Sequence, residues 1–235
     1  MKLGTEEFNS KFDAFAHYEN HYQMKPFIGK YWNDSKKMLV IGESHYLPPD
    51  LDKNLINDLI MNWYEISIDY EYIENDGKKE IGIKLYQMTD TASVVDNQSL
   101  GIFKNIDKAI RETGFNPIEG VFCYIAYMNF YQRPAENRKS INPSPYDVKM
   151  ANETLKFVID IIKPNYLFFV SSKSWSDYDK KIFNEQNVGH SAHPSRNWCY
   201  NMESPDFSKY FSKEIVTAKE SFMDFIKYHK IFEDD

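Results

Sequence analysis

The stretch MLVIGESHYLPPD, residues 38–50, decides how the chain is read. Met38 to Ile41 is a short, unbroken apolar run that stops at Gly42. Such a run, bounded by turn residues, predicts a strand buried on both faces, as in a parallel sheet. Glu43, Ser44, His45 and Tyr46 follow at once. A strand that opens into a polar loop is where α/β proteins place their binding and catalytic groups.

Working outward, the same pattern recurs three times. GVFCYIAYMNF (120–130) and NYLFFVSS (165–172) are further apolar runs, and VGHSAHPS (188–195) reads as a fourth, short strand with its exit loop. Helical spacing lies between them. Residues 5–19 carry Phe8, Phe12, Phe15 and Ala16 on one face, and 51–64 and 99–113 also read as helices. Ser144-Pro145-Tyr146-Asp147 is a helix start, with Ser as N-cap, Pro at N1 and a carboxylate at N3. That helix should run to Ile162, where Lys163-Pro164 ends it. A further helix is predicted from about Ser174 and a last one over 206–229. Alternating apolar residues between 66 and 85, around Asn75-Asp76-Gly77, predict a β-hairpin.

Strands alternating with helices imply a mostly parallel sheet of four short strands, covered by helices on both faces. The strands' C-terminal ends then share one edge. Glu43, Ser44, His45, Tyr46, Asn129, Ser171, Ser172 and His193 should converge there on one pocket.

Composition sets bounds. A chain of 235 residues suits one α/β domain, and 17 Tyr and 17 Phe allow a sizeable core. No repeat or linker divides residues 1–235. No run of 18 apolar residues exists, so no simple membrane span is expected. The N-terminus lacks the apolar middle of a signal peptide. Two cysteines, Cys123 and Cys199, suggest neither a disulfide framework nor a Cys-based metal site. The expectation is a cytoplasmic protein with reduced thiols, no metal and no cofactor. The net charge of −7 argues against strong nucleic-acid binding. The charge is uneven, however: residues 121–200 hold 10 Lys+Arg against 7 Asp+Glu, so the middle of the chain is mildly basic.

Three blocks, in order, resemble the uracil-DNA glycosylase superfamily. GESHY (42–46) looks like the family's first motif, a Gly followed by Gln or Glu and a variable catalytic position. YIAYMNFYQRPAENR (124–138) is similar to the Thr-Asn…Arg-Pro-x-x-Asn-Arg block of its thermophile-type branch. AHPSRN (192–197) looks like the His-Pro-Ser motif, and its Arg-Asn is similar to the branch selective for single strands. SLGIFKNIDKAI (99–110) is a weaker echo of the Pro-Phe-x-Gly segment.

The resemblance implies a three-layer α/β/α sandwich and a pocket for a base flipped out of the stack. It implies that Asn129 reads the base edge, Phe103 stacks on the base and Tyr46 blocks its C5 position. His193 would donate a hydrogen bond to O2 as charge develops there. Glu43 would handle the attacking water. Ser44 stands where the best-studied branch has Asp, and a hydroxyl positions water without accepting its proton. Arg133, Arg138, Ser172, Ser195 and Arg196 would contact DNA, the expected partner, with modest affinity. The iron–sulfur cysteines of the thermophile-type branch are absent. Residues 51–98 read as an insertion and 206–235 as a C-terminal helix.

Two other readings stand beside this one. The fold could serve as an inactive module that binds a nucleobase, a nucleotide or a protein. Alternatively, Gly-Glu-x-His could mark another hydrolase, with Glu43 and His45 as its working pair. On the glycosylase reading His45 has no catalytic role and bonds a loop carbonyl.

Overall fold

The apolar run at 38–42 forms the middle strand of the sheet, and all five of its residues are buried. The computed structural model describes residues 2–68, 72, 74, 77–97, 100–194, 198, 201–203 and 215–233. In chain order the principal elements are α1 (Asn9–Phe12), α2 (Ala16–Asn20), β1 (Phe27–Ile28), β2 (Met38–Gly42), α3 (Lys53–Asn62), α4 (Lys79–Thr89), α5 (Thr91–Asp96) and α6 (Gly101–Glu112). There follow β3 (Ala126–Asn129), α7 (Pro145–Ile162), β4 (Tyr166–Phe169), α8 (Ser172–Asp177), β5 (Val188–His190), β6 (Asn201–Glu203), β7 (Ile215–Thr217) and α9 (Ala218–Tyr228).

The strand order is β1-β3-β2-β4-β5. β2 runs parallel to both neighbours, with Leu39 opposite Ala126 on one side and Leu167 on the other. β5 continues the parallel arrangement beside β4. The fold is α/β, as the alternation of elements implies. The sheet has five strands rather than four: β1 adds an antiparallel edge beside β3. Two residues following a proline are too short to show a strand's periodicity.

Side chains alternate across the sheet and bury on both faces. Leu39, Ile41, Met128, Leu167 and Phe169 pack with Leu155, Val158 and Ile162 of α7 and Leu59 of α3. Val40, Tyr127, Phe168 and Val170 pack with Phe103, Ile106 and Ile110 of α6 and Phe222, Phe225 and Ile226 of α9. The helix α7 begins with the expected capping box of Ser144 and Asp147 and ends at Lys163, whose φ of 48° is left-handed.

Four local expectations are corrected. The hairpin does not form, because residues 79–89 are the helix α4. Ile81 and Leu85 alternate with polar neighbours but are also four apart, which suits a helix face equally. Residues 5–19 make two short helices, α1 and α2, rather than one. The run at 120–130 is extended only over β3. The last helix starts at Ala218, where Thr217 and Glu220 form a capping box. The preceding Ile215-Val216-Thr217, all β-branched, pairs antiparallel with β6 instead.

A second polar cluster lies away from the sheet edge. His17 and His21 are buried, with ring centroids 4.9 Å apart. His21 stacks on Trp63 and donates from Nε2 to its carbonyl oxygen at 2.7 Å. Neither ring nitrogen of His17 has a hydrogen-bond partner among the described residues.

Candidate functional site

The site starts from the loop that leaves β2. Its backbone is pinned to residues 131–135: Tyr131 N–H donates to the Glu43 carbonyl, Ala135 N–H to that of His45, and Leu47 N–H to that of Ala135. Ordered backbone of this kind holds side chains in place better than a free loop does. Ser44, His45 and Tyr46 thereby line a cavity of about 720 Å³ at the C-terminal edge of the sheet. Asn129 from the end of β3, Phe103 from the first turn of α6 and His193 from the loop after β5 line the same cavity. Gln87, Met88, Ser93 and Val94 from the segment 51–98 complete one wall, so that segment belongs to the site.

Asn129 is only 7% exposed. Its Oδ1 accepts a 2.9 Å hydrogen bond from the Tyr127 hydroxyl. Burial, aided by the nearby Tyr46, raises the Tyr127 phenol far above its usual range, so it remains a donor. Gly42 makes room for this pair. A Cβ there would lie 2.1 Å from Tyr127 Oη and 2.5 Å from Asn129 Oδ1. Tyr127 was not singled out from sequence. Its position two residues before Asn129 on a strand, hence on the same face, is the signal that could have found it.

Phe103 is corrected in role. Its ring is 1% exposed and packs edge-on against Phe122 and Tyr127. It forms part of the wall and presents no open face for stacking.

Glu43 does not line the cavity but lies just behind it. Its Oε1 accepts from the Ser140 hydroxyl at 2.6 Å and from Ile141 N–H at 3.2 Å. Its Oε2 accepts from the Ser171 hydroxyl at 3.1 Å. Its charge reaches two lining residues. It opposes the burial that lowers the His193 pKa, and it adds to the burial that raises that of Tyr46. Burial prevails at His193, so the imidazole is neutral at neutral pH.

His45 is buried and bonded elsewhere. Its Nε2 lies 3.1 Å from Thr91 Oγ1, and a second bond goes to the Met88 backbone. Burial lowers its pKa to about 4, with the Met88 bond working the other way. It shares no hydrogen bond with Glu43, whose carboxylate bonds Ser140, Ile141 and Ser171 instead. Among the described residues no group of three or more His, Cys, Asp or Glu side chains is placed to hold a metal ion.

The expected DNA contacts fare unevenly. Arg133 is not available: it is 4% exposed and makes a bidentate pair with the buried Asp147, at 2.9 and 3.1 Å. Nη2, already on Asp147, also donates to the Asn142 carbonyl oxygen, and Nη1 donates to that of Pro134. Arg138 is exposed, with a left-handed φ of 62°. Ser172 is exposed at the first turn of α8, behind the cap residue Ser171. Ser195 and Arg196 lie outside the described residues.

A comparison with known protein families and with curated proteins finds no match for this chain.

Proposed function

We propose that the protein is a hydrolase that cleaves the N-glycosidic bond of uracil, or of a related damaged base, in DNA. One observation carries this reading: Asn129, Tyr46 and His193 line a single cavity at the carboxyl edge of a mostly parallel sheet. The volume lies within the range of about 300–1,000 Å³ that ligand pockets span. On this reading Asn129 pairs with the base edge and Tyr46 crowds its C5 position. His193 donates a hydrogen bond to the carbonyl oxygen that gains charge as the bond to the sugar breaks. A donor fixed in advance stabilises the transition state more than the ground state. Glu43 orients the attacking water. A carboxylate has about four acceptor positions, and the three bonds from Ser140, Ile141 and Ser171 leave one on Oε2. Ser44 lines the cavity without being able to take that water's proton.

The test uses uracil-containing single- and double-stranded oligonucleotides, with alkali cleavage revealing abasic sites. The wild-type protein is expected to produce them, and His193→Ala to lower kcat by about 10²–10³-fold. No abasic product from stoichiometric wild-type protein would sink the proposal. The engaged Glu43 carboxylate favours a second reading, a module that binds a base without cleaving it. Free base would then raise Tm while every oligonucleotide stayed intact.

A further inference from the structure

We infer that Tyr127 is a positioning residue that sets which base edge Asn129 accepts, favouring a carbonyl beside a ring N–H over an amino group beside a bare ring nitrogen. The inference rests on the base-binding reading of the cavity and goes beyond it by naming the group that holds the Asn129 amide in one orientation.

An asparagine amide is ambiguous by itself. Rotation by half a turn exchanges its donor and acceptor ends, so a free Asn129 could read either kind of edge. Here the ambiguity is removed. The Tyr127 hydroxyl and Asn129 Oδ1 are 2.9 Å apart and both residues are buried. A buried hydroxyl needs an acceptor for its proton, and Oδ1 is the one it has. The bond fills the space left by the missing side chain of Gly42, so neither partner has an alternative location nearby. With Oδ1 held, Nδ2 donates to nothing among the described residues, and Asn129 lines the cavity. The cavity is thus offered an N–H donor, next to an oxygen with one lone pair remaining. A lactam edge, as in uracil or hypoxanthine, matches both groups. An amidine edge, as in cytosine or adenine, sets N–H against N–H and lone pair against lone pair.

The experiment measures binding of free uracil, hypoxanthine, cytosine and adenine to the full chain by calorimetry and thermal shift. Wild type is expected to prefer the lactam bases by on the order of 10-fold or more. Tyr127→Phe, which removes only the hydroxyl, should bring the ratio to within about threefold while circular dichroism shows a folded protein. An unchanged ratio in Tyr127→Phe overturns the inference, as does wild-type protein that binds all four bases equally or none. If Tyr127→Phe does not fold, Asn129→Asp decides. Its ionised carboxylate has no donor for a base carbonyl and meets one N–H on either edge, so the lactam preference should fall to within about threefold, and an unmoved preference overturns the inference. Abasic-site formation separates the two levels. Wild type that discriminates free bases yet cuts no oligonucleotide leaves this inference standing and removes the glycosidase. Wild type that cuts, with the uracil-to-cytosine ratio untouched in Tyr127→Phe, does the reverse.

Discussion

Replacing Arg133 with Met will destabilise the protein by about 3–5 kcal/mol, because it strands a carboxylate in the interior. Asp147 is 3% exposed and also accepts from Ser144 N–H, the Ser144 hydroxyl and the Tyr64 hydroxyl. Losing the bidentate guanidinium leaves that charge without its counter-ion. For a domain of this size the expected fall in Tm is roughly 6–20 °C. Because the pair is buried, salt will screen the effect little. Removing both charges, in Arg133→Met with Asp147→Leu, should recover much of the loss. An arginine serving nucleic acid would behave differently: Tm would hold and binding would fall. Thermal melts of the two variants decide between these roles. The pH dependence adds a check. Burial opposes ionisation of Asp147, but the Arg133 and Ser144 bonds prevail and its folded pKa is lowered. The stability it contributes is present above the ordinary Asp pKa, near 3.9, and is lost as pH falls through the lower folded value.

A larger acid effect comes from three buried imidazoles. Burial lowers the pKa of His21 and of His45 to about 4, in each case against a backbone hydrogen bond that raises it. His17 is driven well below its usual range by burial and by the neighbouring His21. The unfolded chain takes up these protons below about pH 6.5, whereas the native chain resists until about pH 4 or lower. Protons therefore favour the unfolded state across this window. The stability is complete above pH 6.5 and declines as pH falls toward 4. Each imidazole contributes about 1.4 kcal/mol per pH unit, so three lose about 4 kcal/mol over one unit, much of a typical 5–15 kcal/mol total. Urea unfolding at pH 7.5 and 5.5 should show this drop, and equal stabilities at the two values would refute it. His21→Phe keeps a ring to stack on Trp63 and removes one titration. Its pH-dependent loss should be smaller by about a third.

The legible and illegible parts of this molecule differ in physical kind. Buried parallel strands leave continuous apolar runs, and MLVIG, YLFF and the end of GVFCYIAYMNF could be read for that reason. The start of α7 was legible because a capping box uses few residues at fixed spacing. β1 was not, since two residues carry no period, and α4 was misread because Ile81 and Leu85 satisfy two periods. At the site, Ser44, His45, Tyr46, Asn129 and His193 could be gathered because sheet topology brings strand ends together. Arg133 was misassigned because a loop arginine shows its charge in the sequence but not its partner, and Asp147 lies 14 positions away. Phe103 was placed in the right region, but burial by Phe122 and Tyr127 depends on packing from other elements.

The central position of β2 also bears on how the chain reaches this fold. β2 pairs with strands in which Ala126 and Leu167, the register partners of Leu39, lie roughly 90 and 130 residues downstream, so the sheet cannot nucleate from neighbouring segments. During synthesis the MLVIG strand leaves the ribosome long before either flank, with both of its edges unpaired. Refolding from urea should accordingly be slow for a domain so rich in helix, with strand pairing limiting the rate after the helices have formed. Stopped-flow circular dichroism that found the whole native signal, helix and sheet together, complete within the mixing dead time would contradict this order of events. In the interval, the strand that later floors the pocket is the part of the chain most open to pairing with another molecule.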